Sequence, residues 1–385
     1  MTAFYEIRIY NRAGARQATL SGSSGNPDSG VDSGFVMLAY IKEVNGIGTG
    51  MFAVNAESSI VEFLDPNGVT LLDAQIEFWR SDSENSITPY CDFYGFLRDR
   101  EYITDDDGQI QFVAHLEEQQ DYLRRAIVGY RANIANRSLF SAVVAETVLK
   151  TLATYNATSS GTTGDGRDFD VDPWGAYLSV AADGAEGSTV TVSCAGRNLF
   201  EVLQEVADLG GLDFGLTKTG AQTWQFWTDT RMGDDHTADV KFSLPRGNMR
   251  RPALRSNRRA EKTVAIVGGQ GNDTARPTRR RTGGNYNATY NSYEMFVNGS
   301  QYTTNAGLDS AGDERLEEVR ALDQLTFDVI QVPSTLYGKN YRLGDTVSAY
   351  FRGFSYTPKI YRVSVDVRAR GNQPVEQIQI TVADV

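Results

Sequence analysis

The stretch CAGRNLFEVLQEVADLGGLDFGLTKTGAQTWQFWTD, residues 194–229, decides the fold. Its first half predicts a helix, because apolar residues recur at helical spacing in one stripe: Leu199, Val202, Leu203, Val206 and Leu209. Asn198 can cap the start of this helix, and Gly210-Gly211 can end it, since glycine reaches the left-handed conformation freely. The second half, LDFGL and TWQFWT joined by a turn-rich segment, predicts a hairpin. A helix of about a dozen residues is marginal alone in water, so we expect it to dock on a sheet.

Composition bounds the class of protein. At 385 residues the chain is long enough for two or three domains with their own cores. Its 37 Lys and Arg against 49 Asp and Glu give a net charge of -12, which argues against a general affinity for nucleic acid. Cys91 and Cys194 are too few for a disulfide framework or a thiolate metal site, and we expect both to be small buried residues. The chain shows neither a leader pattern nor an apolar run near the ~20 residues of a membrane span, so we expect synthesis in the cytoplasm without a membrane span.

The first third predicts antiparallel strands. In FYEIRIYN, residues 4–11, alternation places Tyr5, Ile7 and Ile9 on one side of a strand. Further strands are predicted at 35–44, after the glycine-rich turn at 45–50, at 59–65 and at 70–82. A long hairpin is predicted over 88–117, with its turn at Asp105-Asp-Asp-Gly108. We therefore expect an antiparallel barrel or sandwich up to about Glu117.

The pattern changes after residue 117. Residues 118–155 predict helix, with an apolar face that includes Phe140, Val143, Val144, Val148, Leu149 and Leu152. Residues 156–166 have the composition of a flexible linker. A short charged helix is predicted over 309–323, with Asp309 or Ser310 as its cap, and four alternating strands follow from residue 325 on.

No group of residues has the spacing of a catalytic site. His115 and His236, the two histidines of the chain, lack a Ser, Cys or Glu in triad or zinc spacing, so a hydrogen-bonded structural role is expected for His115. The acidic clusters at 105–107 and 165–172 are expected to be a hairpin turn and solvated loop charge, with cation binding as the alternative at Asp165–Asp172. GGQGN, residues 268–272, predicts a turn at a strand end rather than a phosphate loop. We expect neither a cofactor nor catalytic activity.

One stretch is strongly basic. Residues 246–281, here called the arginine band, hold eleven basic residues against two acidic ones, a local charge of +9, so the remaining 349 residues carry -21. Such a band on an acidic chain indicates docking to acidic neighbours, including other copies of the chain, with phosphate binding as the alternative. Arg279, Arg280 and Arg281 are expected to lie in a polar, turn-rich stretch. The candidate interface residues are Arg250, Arg251, Arg258, Arg259, Arg279, Arg280 and Arg281.

Several blocks resemble the baseplate hub family of tailed phages, in particular the siphovirus hub-like proteins. The strongest match is GRNLFEVLQEVADLGGLDFGL, residues 196–216, followed by the blocks Leu123–Ile127 and Ala145–Leu152. Weaker matches lie at 95–101, at 105–108, at 247–271 and at Leu343-Gly-Asp-Thr-Val347. The resemblance implies a mainly β fold with an α+β insertion. Two small antiparallel β-barrel-like domains would occupy residues 1–117 and 239–385, and the insertion residues 118–238.

The resemblance also implies a function. A hub of this family forms a homotrimeric ring that bridges a six-fold tail to a three-fold tip around the DNA exit channel. Its partners would be other copies of itself, the distal tail ring protein, the tape-measure protein and downstream tip or fibre proteins, with DNA as transient cargo. The chain would then reside in the virion tail after assembly in the host cytoplasm. The alternatives are a tail-associated enzyme acting on cell-wall polymer, which needs a carboxylate pair in a cleft, and a nucleic-acid-contacting tail protein that uses the arginine band.

Overall fold

The computed structural model describes residues 3–21, 34–104, 108–129, 137–159, 177–271, 275–300, 302, 304–370 and 373–383. In chain order, the strands among these residues are β1 (Phe4–Tyr10), β2 (Arg16–Ser21), β3 (Met37–Glu43), β4 (Thr49–Asn55), β5 (Gln75–Asp82), β6 (Ile87–Thr104), β7 (Ile110–Glu118), β8 (Ser138–Val144), β9 (Leu178–Val180), β10 (Thr189–Cys194), β11 (Asp213–Lys218), β12 (Trp224–Asp229), β13 (Lys241–Ser243), β14 (Met249–Asn257), β15 (Val264–Gly268), β16 (Thr278–Thr282), β17 (Glu294–Asn298), β18 (Leu322–Val329), β19 (Ser348–Phe351), β20 (Phe354–Tyr356), β21 (Lys359–Arg370) and β22 (Gln373–Ala383). The helices are α1 (Ser59–Leu64), α2 (Asp121–Arg124), α3 (Ala145–Ala157), α4 (Leu199–Gly210) and α5 (Asn305–Glu318). The predicted class, mainly β with an α+β insertion, is confirmed.

An eleven-stranded sheet organises the molecule, with the strand order β14-β18-β22-β21-β3-β4-β7-β6-β5-β1-β2. Neighbouring strands in it are antiparallel. Alternation along β1 buries Tyr5, Ile7 and Ile9 and turns Phe4 outward, as the sequence predicts. Such period-two burial is what an antiparallel sheet with one covered face requires.

The first and last thirds of the chain meet inside this sheet. β21 pairs with β3 over seven residue pairs, from Arg362 opposite Glu43 to Arg368 opposite Met37. Apolar side chains of both thirds also share one continuous core, in which Phe52 and Phe78 lie in the same cluster as Val363. The domain boundaries at 117 and 238 stay a prediction. The described strands form one sheet across the two β regions, residues 1–117 and 239–385.

The insertion has its own core, built around α4. Asn198 caps this helix by accepting a hydrogen bond from the amide of Phe200 at 3.0 Å, and Gly211 ends it with a φ of 68°. Leu203 is fully buried in a cluster that also holds Trp224. β11 and β12 form the predicted hairpin, with Asp213 opposite Asp229, and β9 joins β12 in parallel. The helix and the hairpin predicted from residues 194–229 are therefore confirmed.

Two predicted elements are wrong in type. Residues 59–64 form helix α1 rather than a strand, because Ile60, Val61 and Leu64 bury one helical side against the core. Residues 138–144 form strand β8 rather than helix, and pair with β10 so that Phe140 lies opposite Val192. The spacing of apolar residues fits a helix there, but pairing with a distant strand decides the conformation.

The boundaries of α5 also differ from the prediction. The helix begins at Asn305, four residues before the predicted start, and its cap is Thr304, whose hydroxyl accepts from the amide of Gly307 at 3.1 Å. It ends at Glu318, because the chain from Leu322 enters strand β18.

A buried ion pair joins the last strand, β22, to β5. Arg80 of β5, with 1% of its side chain exposed, donates from Nε to Glu376 Oε1 at 2.7 Å and from Nη2 to Oε2 at 3.1 Å. Its Nη1 also donates to the carbonyl of Tyr337 at 2.9 Å, and Tyr5 donates to the same Glu376 carboxylate. Gln331 adds a further hydrogen bond to Glu376 at 2.7 Å. Residues from both ends of the chain thus satisfy one buried charge pair.

The same polar network continues to Asp92. Its carboxylate accepts from Lys42 at 2.8 Å, from Tyr337 at 2.9 Å and from Tyr40 at 2.5 Å. Burial alone raises the pKa of Asp92, but the charge and hydrogen bond of Lys42, with the two tyrosine hydroxyls, hold that pKa below its ordinary value. Asp92 is therefore a carboxylate held charged inside the protein.

Removing one partner of the ion pair should be costly. We expect Glu376→Ala to lower the free energy of unfolding by about 3–5 kcal/mol, because the Arg80 charge then stays buried without its carboxylate. Urea unfolding measures this. The control is Asp366→Ala, which breaks the exposed pair with Arg368 on β21 and should cost less than about 1 kcal/mol. Equal losses in the two variants would show that the buried pair does not hold the sheet together.

Candidate functional site

The arginine band divides between two separate places in the fold. Arg250, Arg251 and Arg255 lie on β14, an edge strand of the large sheet that pairs with β18. Arg279, Arg280 and Arg281 lie on β16 of a small sheet with the order β16-β15-β17. The prediction that Arg279, Arg280 and Arg281 lie in a polar, turn-rich stretch is therefore wrong, because these residues form β16 and pair with β15.

Within the β14 part, several arginines have partners in their own chain. Arg251 Nε donates to Asp328 Oδ2 at 2.6 Å, and Arg250 approaches the same buried carboxylate at 3.4 Å. Arg258 pairs with Glu261 at 3.3 Å. Among the described residues, Arg259 has no carboxylate within ion-pair distance. The arginines of β14 thus belong to a different sheet from those of β16.

Helix α5 covers one face of the small sheet. Arg279 forms a bidentate pair with Asp309 at 2.8 and 2.7 Å, and Arg281 forms another with Asp313 at 2.7 and 2.6 Å. The hydrogen bonds from Arg279 lower the pKa of the Asp309 carboxyl. This covered face also holds the apolar contacts of the small sheet, among them Val267 with Leu308. Arg279 and Arg281 thus serve the internal packing of α5.

The opposite face of the small sheet is exposed in part: Val264 is buried at one end of β15, and Ile266 is half-buried. Ile266 of β15 lies opposite Arg280 on β16 and opposite Phe296 on β17. The Phe296 side chain is 60% exposed. Arg280 stacks on Tyr286 at 4.9 Å from the ring centre, and Arg276 stacks on Phe296 at 5.0 Å. We call Ile266, Arg276, Arg280, Tyr286 and Phe296 the open face.

The arginines of the open face differ from those under α5 in their partners. Arg276 donates to the carbonyls of Gly268 and Gly269 and to Asn298, at 2.9–3.1 Å. Among the described residues, neither Arg276 nor Arg280 is paired with a carboxylate. Stacked guanidinium groups and an exposed phenylalanine are the composition of a protein-binding surface. Tyr290, 78% exposed, lies in the segment between β16 and β17.

Sequence reasoning found the arginines but missed this separation. The alternation of Thr278-Arg-Arg-Arg-Thr282 was the available signal, because a strand places Arg280 on the face opposite to Arg279 and Arg281. Arg276, outside the seven predicted interface residues, and Phe296 were missed as well. The pairing of β15 with β17 joins segments separated by a long connection, and no local pattern shows it.

The remaining sequence candidates have ordinary surroundings. His115 lies on β7, and its Nε2 is 3.2 Å from a carboxylate oxygen of Glu101, which agrees with the predicted hydrogen-bonded role. Cys194 is buried as predicted, whereas Cys91 is exposed, because it lies at the border of a cleft. Gly268 ends β15, so the glycine-rich segment lies at a strand end, as predicted. The acidic clusters at 105–107 and 165–172 lie outside the described residues.

That cleft lies between the first β region and the insertion hairpin, with Lys42, Glu77, Trp227 and Lys218 in its lining. Glu118, 7% exposed, also borders the cleft and accepts from the amide of Gly48 at 2.9 Å. The pKa of Glu118 is raised to about 7, because the effect of burial is larger than the opposite effects of the nearby Lys42 charge and of the hydrogen bond from Gly48. Glu118 therefore titrates near neutral pH in the folded protein.

The model of the Siphovirus ReqiPepy6 Gp37-like protein family matches residues 29–381. The chain belongs to this siphovirus family. A search of curated proteins found no match to this Gp37-like chain. None of the described helices has the length and apolar character needed to cross a bilayer.

The fold of this Gp37-like chain is shared with phage tail proteins of known structure. The 43 kDa tail protein of prophage MuSo2 from Shewanella oneidensis aligns with a TM-score of 0.57 at 11% identity, over 99% of this chain and 98% of the other. The tail protein from Neisseria meningitidis MC58 aligns with a TM-score of 0.56 at 10% identity, over 100% and 97%. A chain of the Francisella PdpA-VgrG complex aligns with a TM-score of 0.53 at 10% identity, over 99% of this chain and 52% of that one. At these identities the likeness shows a common fold.

The raised pKa of Glu118 predicts a pH dependence of stability. An unfolded glutamate has a pKa of about 4.3, so between about pH 4.3 and pH 7 the folded chain keeps a proton that the unfolded chain releases. The contribution of Glu118 to stability therefore falls as pH rises through this window and is lowest above pH 7. The glutamine of Glu118→Gln stays neutral, so the stability of this variant does not fall with pH for this reason.

Urea unfolding at pH 5 and pH 8 tests this. The free energy of unfolding of Glu118→Gln, relative to the parent, should rise between pH 5 and pH 8 by up to about 3 kcal/mol. The control is Glu117→Gln, on the neighbouring residue, whose difference from the parent should not change in this way. A difference for Glu118→Gln that is the same at both pH values would mean that Glu118 has an ordinary pKa.

Proposed function

We propose that this chain is the baseplate hub of a phage tail tip. The observation that carries the proposal is the fold, which matches phage tail proteins over nearly the whole length of both chains. Membership of a siphovirus family over residues 29–381 supports a structural role in a phage tail. The hub forms a homotrimeric ring that bridges the six-fold tail to the three-fold tip and surrounds the DNA exit channel.

The pairing of strands within the large sheet supports a structural role in which the subunit withstands mechanical force. Strands from both ends of the chain pair along β3 and β21, and the Arg80–Glu376 pair fixes them from within. A subunit with this connectivity resists separation of its two β regions, because separation exposes buried charges together with apolar surface. A ring at a tail tip needs such a subunit to keep its shape while DNA passes.

The open face is the surface we assign to assembly. Its arginines lack carboxylate partners within the described chain, whereas those of the covered face already have them. The chain outside the arginine band carries -21, so a neighbouring copy offers acidic surface to an arginine and aromatic face. Of the seven interface residues predicted from the sequence, Arg280 is the central residue of this assembly surface. Arg276, which is outside those seven, also belongs to it.

The remaining partners follow from the hub role. The ring contacts the distal tail ring protein on one side and the tape-measure protein with downstream tip or fibre proteins on the other, and DNA passes as transient cargo. The protein acts as a non-enzymatic component of the virion tail, assembled in the host cytoplasm.

A double substitution on the open face tests the assembly surface. We expect Arg280→Ser with Phe296→Ser to weaken self-association of the purified chain at least tenfold, because an exposed aromatic and an unpaired arginine are the side chains that contribute most to interfaces. Both side chains are exposed, so the melting temperature should stay close to that of the parent. Light scattering after size-exclusion chromatography, over a series of protein concentrations, gives the mass of the assembly and the concentration at the midpoint of association.

The matched control removes an exposed arginine and an exposed phenylalanine elsewhere. Arg368→Ser with Phe354→Ser takes away side chains that are 67% and 64% exposed, and should leave the trimer unchanged. If the open-face variant assembles like the parent but loses salt-dependent binding to DNA, the surface is a nucleic-acid site. If it assembles and binds DNA like the parent, the open face has neither role.

A further inference from the structure

A histidine and two aspartates come together where the chain leaves the insertion. Asp234 and His236 follow β12, and Asp345 belongs to the Leu343-Gly-Asp turn, more than a hundred residues later. One side-chain ligand atom from each of the three residues lies within 4.8 Å of the other two. Asp345 is buried, His236 is half-buried and Asp234 is exposed, so the group has a fixed inner end and an outer end open to solvent.

Hydrogen bonds from backbone amides, two of them to the Asp345 carboxylate, hold the two segments against each other. Asp345 accepts from the amide of Asp234 at 2.8 Å and from the amide of Arg342 at 2.7 Å. The amide of Thr346 donates to the carbonyl of Asp234 at 3.0 Å, and the amide of His236 donates to the carbonyl of Thr346 at 2.9 Å. These bonds use one lone pair on each Asp345 oxygen and leave the others free.

The spacing of the side chains suits a small metal ion. His236 Nε2 is 3.6 Å from Asp345 Oδ2. Two ligands bound at about 2.0–2.1 Å in a tetrahedron are about 3.3 Å apart, so a shift of a few tenths of an ångström brings both into range. The carboxylate of Asp234 has neither an ion pair nor a side-chain hydrogen bond among the described residues, so it is free to turn toward the same point.

The charges also lack a counterion. Neither Asp234 nor Asp345 is paired with a lysine or arginine in the described chain, and the facing imidazole is neutral unless it is protonated. Two carboxylates beside one neutral imidazole carry a charge of -2, which a dication neutralises.

We propose that Asp234, His236 and Asp345 bind a divalent transition metal, with zinc as the ion that fits best. One imidazole nitrogen and two carboxylate oxygens are a zinc-type ligand set, whereas calcium and magnesium prefer oxygen ligands throughout. Water completes the coordination on the exposed side. The ion ties the exit of the insertion to the turn before β19 and so stabilises the junction between the insertion and the second β region.

Titration of the purified, chelator-treated chain with ZnCl₂ in a calorimeter tests the site. We expect one ion per chain, no comparable heat with CaCl₂ or MgCl₂, and a melting temperature that rises with zinc, because an ion that binds the folded chain stabilises it. Co²⁺ in place of zinc gives a visible absorption band that reports the ligand set directly.

Three single substitutions make the test specific. Asp234→Ala changes an exposed side chain without a partner among the described residues, so the variant should fold and bind zinc at least tenfold more weakly. His236→Ala should do the same and abolish the Co²⁺ band. His115→Ala removes the other histidine of the chain and should leave both signals unchanged. The proposal is overturned if zinc has no effect at millimolar concentration, or if Asp234→Ala and His236→Ala bind it like the parent.

Discussion

The buried pair of Arg80 and Glu376 is the constraint on which the rest of the structure depends. Arg80 lies on the fifth strand and Glu376 on the last, so the pair exists only once both ends of the chain have reached the same sheet. A buried guanidinium without its carboxylate costs several kcal/mol, and this penalty disfavours any arrangement in which the two β regions are apart. The surrounding tyrosines and Asp92 extend the same requirement to β3 and β6.

This central unit carries two attachments of different kinds. The insertion has its own apolar core around α4 and borders the first β region at the cleft that holds Glu118. The small sheet with α5 has few buried apolar residues, and two partly exposed bidentate arginine pairs also link the sheet to the helix. α5 packs on α4, where burial and the neighbouring Glu205 raise the pKa of Glu314 to about 8. The open face lies on the side of the small sheet that faces away from the arginine pairs with α5, where its arginines and Phe296 are accessible to a neighbouring subunit.

Local patterns predicted much of this fold and little of the candidate sites. The sequence predicted the apolar stripe of α4, its Asn198 cap and its end at Gly211, because each depends on residues within one or two helical turns. Phe140 was assigned to a helix because its partner Val192 lies some fifty residues away. Arg80 gave no signal in the sequence, since its partner is near the other end of the chain. The same limit applied to Asp234, His236 and Asp345, which become neighbours through strand pairing.

Hydrogen–deuterium exchange on the free and the self-assembled chain tests most directly whether the open face is the assembly surface. Protein is compared at concentrations below and above the midpoint of association, and amide protection is read along the chain. Assembly should slow exchange in residues 276–298 and leave β1 and β22, which are already closed in the monomer, unchanged. Protection that arises elsewhere, with residues 276–298 exchanging at the same rate in both states, would contradict an assembly role for the open face.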